Sequence, residues 1–71
     1  MERDNTLKKV KGFRIMCGFT QEEMAKALNI STVSYRLKET GEREFTESEM
    51  KALVEKMKTI NPSLTLDSIF M

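Results

Sequence analysis

Apolar residues recur along this chain with a helical period, and one short pattern introduces each recurrence. An apolar residue precedes Thr or Ser, and a second apolar residue stands five positions after the first. The pattern occurs at Phe19-Thr20…Met24, Ile30-Ser31…Tyr35, Phe45-Thr46…Met50 and Leu64-Thr65…Ile69. A hydroxyl at that place caps the free N–H groups of a helix start, and the flanking apolar pair forms a hydrophobic staple. Glu23 and Glu49, three residues after Thr20 and Thr46, complete two capping boxes. Agreement among separate local signals predicts an all-helical chain.

An earlier helix is expected from about Asn5 to Met16. Leu7, Val10, Phe13, Arg14 and Cys17 share one side of it, and Lys8, Lys9 and Lys11 fall off that side. Gly18 is placed to end it. Helix two is expected over 21–28, with Met24, Ala25 and Leu28 inward. Helix three follows over 32–39, closed by Gly41, and helix four over 47–60, striped by Met50, Leu53, Val54 and Met57. Pro62 stops helix four from continuing. A short fifth helix is expected over 66–70. No strand pattern competes.

The hinge between helices two and three is only Asn29-Ile30-Ser31. Helices joined so tightly cross steeply, which is the helix-turn-helix arrangement, here about residues 20–40. Ala25 stands where the two helices must approach closely. Asn29 stands where a left-handed backbone is needed, and asparagine tolerates that conformation better than most residues. Helix three admits two rotations. With Tyr35 inward, Val33, Leu37, Arg36 and Thr40 face outward, while Ser31, Lys38 and Glu39 flank the buried side. With Val33 and Leu37 inward, Tyr35 is exposed. The ordinary burial of Val and Leu favours the second; the Ile30–Tyr35 staple favours the first and is taken as the deciding signal.

With Tyr35 inward, the outer face offers chemistry suited to the major groove of double-stranded DNA. Val33 and Leu37 suit thymine methyl groups, Arg36 suits guanine or phosphate, and Thr32 suits a base edge or a phosphate. An exposed Val33–Leu37 pair would equally suit a protein partner. Gln21, at the start of helix two, would face phosphate, with Ser31, Thr40, Arg43, Lys8, Lys9 and Lys11 as further phosphate candidates; each is also an ordinary surface residue. Arg14 and Glu39 lie on the inner flanks of their helices and are candidates for a partly buried pair linking helix one to helix three.

Composition narrows the picture. The chain has 71 residues, enough for one domain over 1–71 with a small core. Its formal net charge of +1 says little, but the distribution says more. Residues 1–43 hold nine Lys/Arg against six Asp/Glu, and residues 44–71 hold three against five. A DNA-facing surface is therefore expected on the first three helices. The absence of histidine and the single cysteine argue against a zinc site, and no cofactor, metal or small-molecule substrate is expected. Cys17 is expected as a small core residue in a reducing, cytoplasmic setting rather than as a redox switch. No apolar run approaches membrane-spanning length and no leader is visible. With no paired catalytic acids or phosphate loop either, an enzyme is not expected.

Phe13-Arg14, Gly18-Phe19-Thr20-Gln21-Glu22-Glu23, Ala25, Leu28, Ile30-Ser31, Tyr35, Glu39 and Gly41 together resemble the lambda-repressor-like, Cro/C-type (XRE-type) helix-turn-helix family of phage and bacterial regulators. Glu44-Phe45-Thr46…Glu49 and Leu66-Asp67-Ser68-Ile69-Phe70 resemble small phage Cro-like repressors. The resemblance covers about residues 5–70. It implies an all-α, five-helix DNA-binding domain that works as a homodimer on a palindromic operator, its half-sites about one helical turn, roughly 34 Å, apart. It implies phosphate binding by Gln21, base reading by Thr32, Val33 and Leu37 with Arg36 beside them, and the Arg14–Glu39 pair. Lys38 stands where an apolar residue is common, so its stem is expected to pack and its charge to reach water. A protein-interaction module on the same fold, such as an antitoxin-like partner, is the alternative. Ile69, Phe70 and Met71 form an apolar terminus that would either seal the core or meet a second subunit.

Overall fold

The computed structural model describes the backbone of residues 2–70 and the side chains of residues 7–70. Met71 lies outside the described residues. Five α-helices follow in order: α1 (Glu2–Cys17), α2 (Gln21–Leu28), α3 (Thr32–Thr40), α4 (Glu47–Lys58) and α5 (Leu66–Phe70). There is no strand among the described residues.

The starts of α2 to α5 carry the hydroxyl caps that the pattern predicts. Thr20, Ser31 and Thr46 sit in extended backbone just before their helices, and each accepts from the N–H three residues on. Thr65 does the same for Ser68. Both capping boxes close in both directions: the Thr20 N–H donates to Glu23 at 2.8 Å and that of Thr46 to Glu49 at 2.9 Å. The ends are equally local. Gly18, Asn29 and Gly41 all take left-handed backbone, with φ of 83°, 61° and 93°. After each, the next N–H reaches five residues back: Phe19 to Arg14, Ile30 to Ala25 and Glu42 to Leu37. These are Schellman closures, which satisfy the last carbonyls of a helix. At Gly41 the space is also tight, because a Cβ there would stand 2.7 Å from Leu7 Cδ1.

Four boundaries depart from the expected ones, two of them by a single residue, since α1 runs on to Cys17 and α3 to Thr40. Helix α1 begins at Glu2 rather than Asn5; residues 2–5 contain neither Gly nor Pro to stop it. Helix α4 ends at Lys58, not Ile60. The N–H groups of Thr59 and Ile60 reach only three residues back, to Lys56 and Met57, so the last turn tightens and leaves Ile60 56% exposed.

The core gathers Val10, Met24, Ala25, Leu28, Tyr35, Leu53, Val54, Met57, Leu64 and Ile69. Helix α2 packs against α3 and α4, and α1 against α5, α3 and α4. Ile69 is fully sealed, and Phe70 lies edge-on to Phe45 at 5.9 Å; the described part of the apolar terminus therefore closes the core. Cys17 is half-buried against that core, its Sγ 3.9 Å from the Met57 carbonyl, and burial pushes its thiol up. None of the described helices is long and apolar enough to cross a membrane.

Candidate nucleic-acid interface

The rotation of α3 decides what this molecule presents. Tyr35 is 0% exposed and Val33 is 56% exposed, so the tyrosine faces in. Thr32, Arg36 and Thr40 are exposed with Val33. Leu37 is not fully outward as the simple helical wheel places it; it is half-buried, on the shoulder of the face. The nine residues of α3 make a rod about 14 Å long, and the major groove, about 12 Å wide, admits a helix of this kind.

What fixes the rotation is a buried polar cluster. Glu39 lies on the inner side of the last turn of α3, its side chain 4% exposed. Its carboxylate accepts from Arg14 Nε at 2.8 Å, Arg14 Nη2 at 3.2 Å, Tyr35 Oη at 2.8 Å and Gln21 Nε2 at 2.9 Å. Arg14 Nη1 donates to the Phe19 carbonyl at 2.9 Å, just before α2. One carboxylate thus ties α1, α2 and α3 together. Burial alone would raise the pKa of Glu39. The Arg14 guanidinium, the Gln21 amide and the Tyr35 hydroxyl reverse that and hold it below the ordinary carboxylate value. Burial also acts against the charge of Arg14, and the facing Glu39 carboxylate outweighs it, so its pKa lies above the ordinary value. Burial and the bond to Glu39 push the Tyr35 hydroxyl strongly upward.

Lys38 corrects an expectation. Its charge does not escape to water. Nζ donates to Glu49 Oε1 at 2.7 Å and to the Glu44 carbonyl at 3.2 Å. The same Glu49 oxygen accepts from the Thr46 N–H in the α4 capping box, so the end of α3 is fastened to the start of α4. Burial works against the Glu49 charge, but Lys38 and the cap bring its pKa below the ordinary value.

The other expected contact residues are placed as follows. Gln21 is half-buried, with one amide hydrogen on Glu39. Ser31 is exposed and serves as the cap of α3, its hydroxyl donating to Ser34. The Thr40 hydroxyl turns back to the Leu37 carbonyl and to Glu42. Lys8, Lys9 and Lys11 are exposed on α1, and Arg43 is exposed just after α3. Leu7 and Arg43 line one cleft with Gly41, which brings the basic stretch of α1 beside the end of α3.

The sequence reading missed the bonds of Tyr35 and Gln21 to Glu39. Tyr35 and Glu39 are four apart on one helix, a spacing that puts them on one face, so this part was available from the sequence. The Gln21 bond joins two helices and had no local signal. A family model described as helix-turn-helix matches residues 10–64. No curated protein and no solved structure matches the chain.

Proposed function

Because the chain belongs to the helix-turn-helix family, of the XRE type that includes lambda-repressor- and Cro-like regulators, we propose that it is a Cro-like repressor, reading a palindromic operator as a homodimer in the cytoplasm of a bacterial cell. Membership makes it a DNA-binding transcriptional regulator. The observation that supports it best is the free outer face of α3, with Tyr35 sealed and Val33 open. In this reading Thr32, Val33 and Arg36 meet base edges, and Leu37 supports the flank of the contact. Apolar contact by Val33 distinguishes thymine by its methyl group, and Arg36 suits the O6 and N7 acceptors of guanine.

Phosphates are held by Gln21, Ser31, Thr40, Arg43, Lys8, Lys9 and Lys11. Gln21 keeps a second amide hydrogen for this use, since a primary amide carries two. The lysines and Arg43 add charge at one end of the reading helix. Equilibrium binding of the protein to operator DNA as salt is raised tests this. The logarithm of affinity should fall with that of salt at a slope steeper than about −3, from roughly four or more neutralised phosphates per dimer. Weak, salt-insensitive binding would remove the proposal.

A second reading, a protein-interaction module on the same fold, draws on Ile15, Met16 and Ile60, which are 58%, 77% and 56% exposed at the ends of α1 and α4. Cys17 Sγ and the Ile60 N–H meet the same Met57 carbonyl, so the end of α1 lies beside the end of α4. Retention of one protein partner without DNA binding would favour it; a second copy of this chain on that patch would fit the repressor.

A further inference from the structure

We propose that Glu39 is a positioning residue for the DNA backbone, acting through Gln21; the inference rests on the reading that Gln21 meets phosphate. An ionised carboxylate only accepts hydrogen bonds. Placed 2.9 Å from Gln21 Nε2, it selects the nitrogen edge of that amide and rejects the oxygen edge. The amide therefore cannot turn over. One of its hydrogens lies on Glu39, and the other is held in the amide plane, about 120° away, on a side chain that is only half-buried. A donor already held in its bound geometry loses less freedom when phosphate arrives.

The carboxylate itself does not wander. Arg14 grips it through two nitrogens and Tyr35 through its hydroxyl. Arg14 also holds the Phe19 carbonyl, two residues before Gln21. The group that sets the rotation of α3 in the groove thus also sets the direction of a phosphate donor on α2. A neutral amide at position 39 would both donate and accept, so it would accept either edge of Gln21. The oxygen edge, turned outward, would repel a phosphate.

The test uses the full chain, a selected operator duplex and single methylphosphonate replacements along its backbone. Wild type, Q21M, E39Q and the double variant are compared, with thermal melts reporting the folded fraction. At one phosphate in each half-site, neutral replacement should weaken wild type about tenfold, and Q21M and E39Q less than about twofold. In E39Q the amide oxygen takes the Oε2 place and keeps the bonds from Arg14 Nε and Tyr35 that hold the rotation of α3, so base-pair substitutions should weaken E39Q by the same factor as wild type, and adding E39Q to Q21M should change affinity less than about twofold. If E39Q keeps the tenfold phosphate effect, or weakens Q21M as much as it weakens wild type, the role is structural only and the proposal falls. Should E39Q not fold, side-chain amide spectra of the wild type decide. One Gln21 Nε2 proton shifted downfield and slow to exchange supports the proposal; a pair matching a solvated glutamine overturns it. Absence of any operator binding by wild type is a separate failure, because it removes the DNA reading while the amide spectrum still reports the Gln21–Glu39 bond.

Discussion

Helices α3 and α4 begin alike, each with a hydroxyl cap that accepts from the N–H three residues on, but they are held in opposite ways. Helix α4 turns Leu53, Val54 and Met57 into the core. Helix α3 buries Tyr35, Lys38 and Glu39, so two of its three buried side chains are charged. Apolar packing is strong but has little directional preference. Hydrogen bonds and ion pairs have preferred angles, and four of them converge on Glu39. Helix α4 is held by burial and α3 by geometry. This arrangement suits a helix whose outer face must keep one rotation while its own apolar residue, Val33, stays in solvent.

The contrast can be broken most severely at the charged cluster. Arg14→Ala or Glu39→Ala leaves one buried charge without its partner and should cost about 3–5 kcal/mol. A chain of 71 residues has roughly 4–10 kcal/mol to lose. Urea unfolding should therefore show either variant largely unfolded or close to it. A loss below about 1 kcal/mol would mean that the cluster does not hold α3. On the other side, Leu53→Ala should cost about 2–5 kcal/mol through lost burial and a cavity. Its folded fraction should keep the wild-type order of preference among operator variants, because nothing on α3 has been touched. A changed order would erase the division between the two helices.

Both helices should respond to acid, and only α3 to alkali. Glu39 and Glu49 have folded pKa values below the ordinary 4.5. The stability they lend is complete above the unfolded value and is lost as pH falls through the folded one. Tyr35 is shifted upward from 10, so its share is complete below that value and is lost as pH rises beyond it. Thermal melts should thus decline on an acid limb below about pH 4.5 and on an alkaline limb above about pH 10. E39Q should flatten the acid limb, and Leu53→Ala should lower the whole curve without changing its shape. A smaller effect is expected at Lys38→Met, about 1–2 kcal/mol, since the charge-assisted bond to Glu49 is lost while the apolar stem is replaced. Smallest for stability are Val33→Ser and Arg36→Ala, each within about 0.5 kcal/mol as surface changes. Each should nonetheless weaken operator binding, by about 1–3 kcal/mol for Arg36 if it meets a guanine. Calorimetric melts beside binding isotherms separate the two quantities.

How far the sequence reached follows the same division. Features written locally were legible. Ile30-Ser31…Tyr35 marked the start and rotation of α3, and Asn29 marked the left-handed hinge. Features that depend on where a loop returns were not. The partner of Lys38 is Glu49, and finding it requires the path of residues 41–46. Gln21 gave no sign of its bond to Glu39, eighteen residues away, because no short-range spacing encodes it. Leu37 was misjudged by a helical wheel, which assigns directions around an isolated helix and ignores the neighbours that cover its shoulder.

The most direct test is recovery of bound duplexes from a random pool, with wild type and with Val33 and Arg36 variants in parallel. Wild type should enrich an inverted repeat whose half-sites are centred about one helical turn apart, and each variant should lose preference at its own base pairs while keeping the rest. No enrichment, or variants that enrich the wild-type sequence unchanged, would contradict the assignment of the outer face of α3 as the surface that reads DNA.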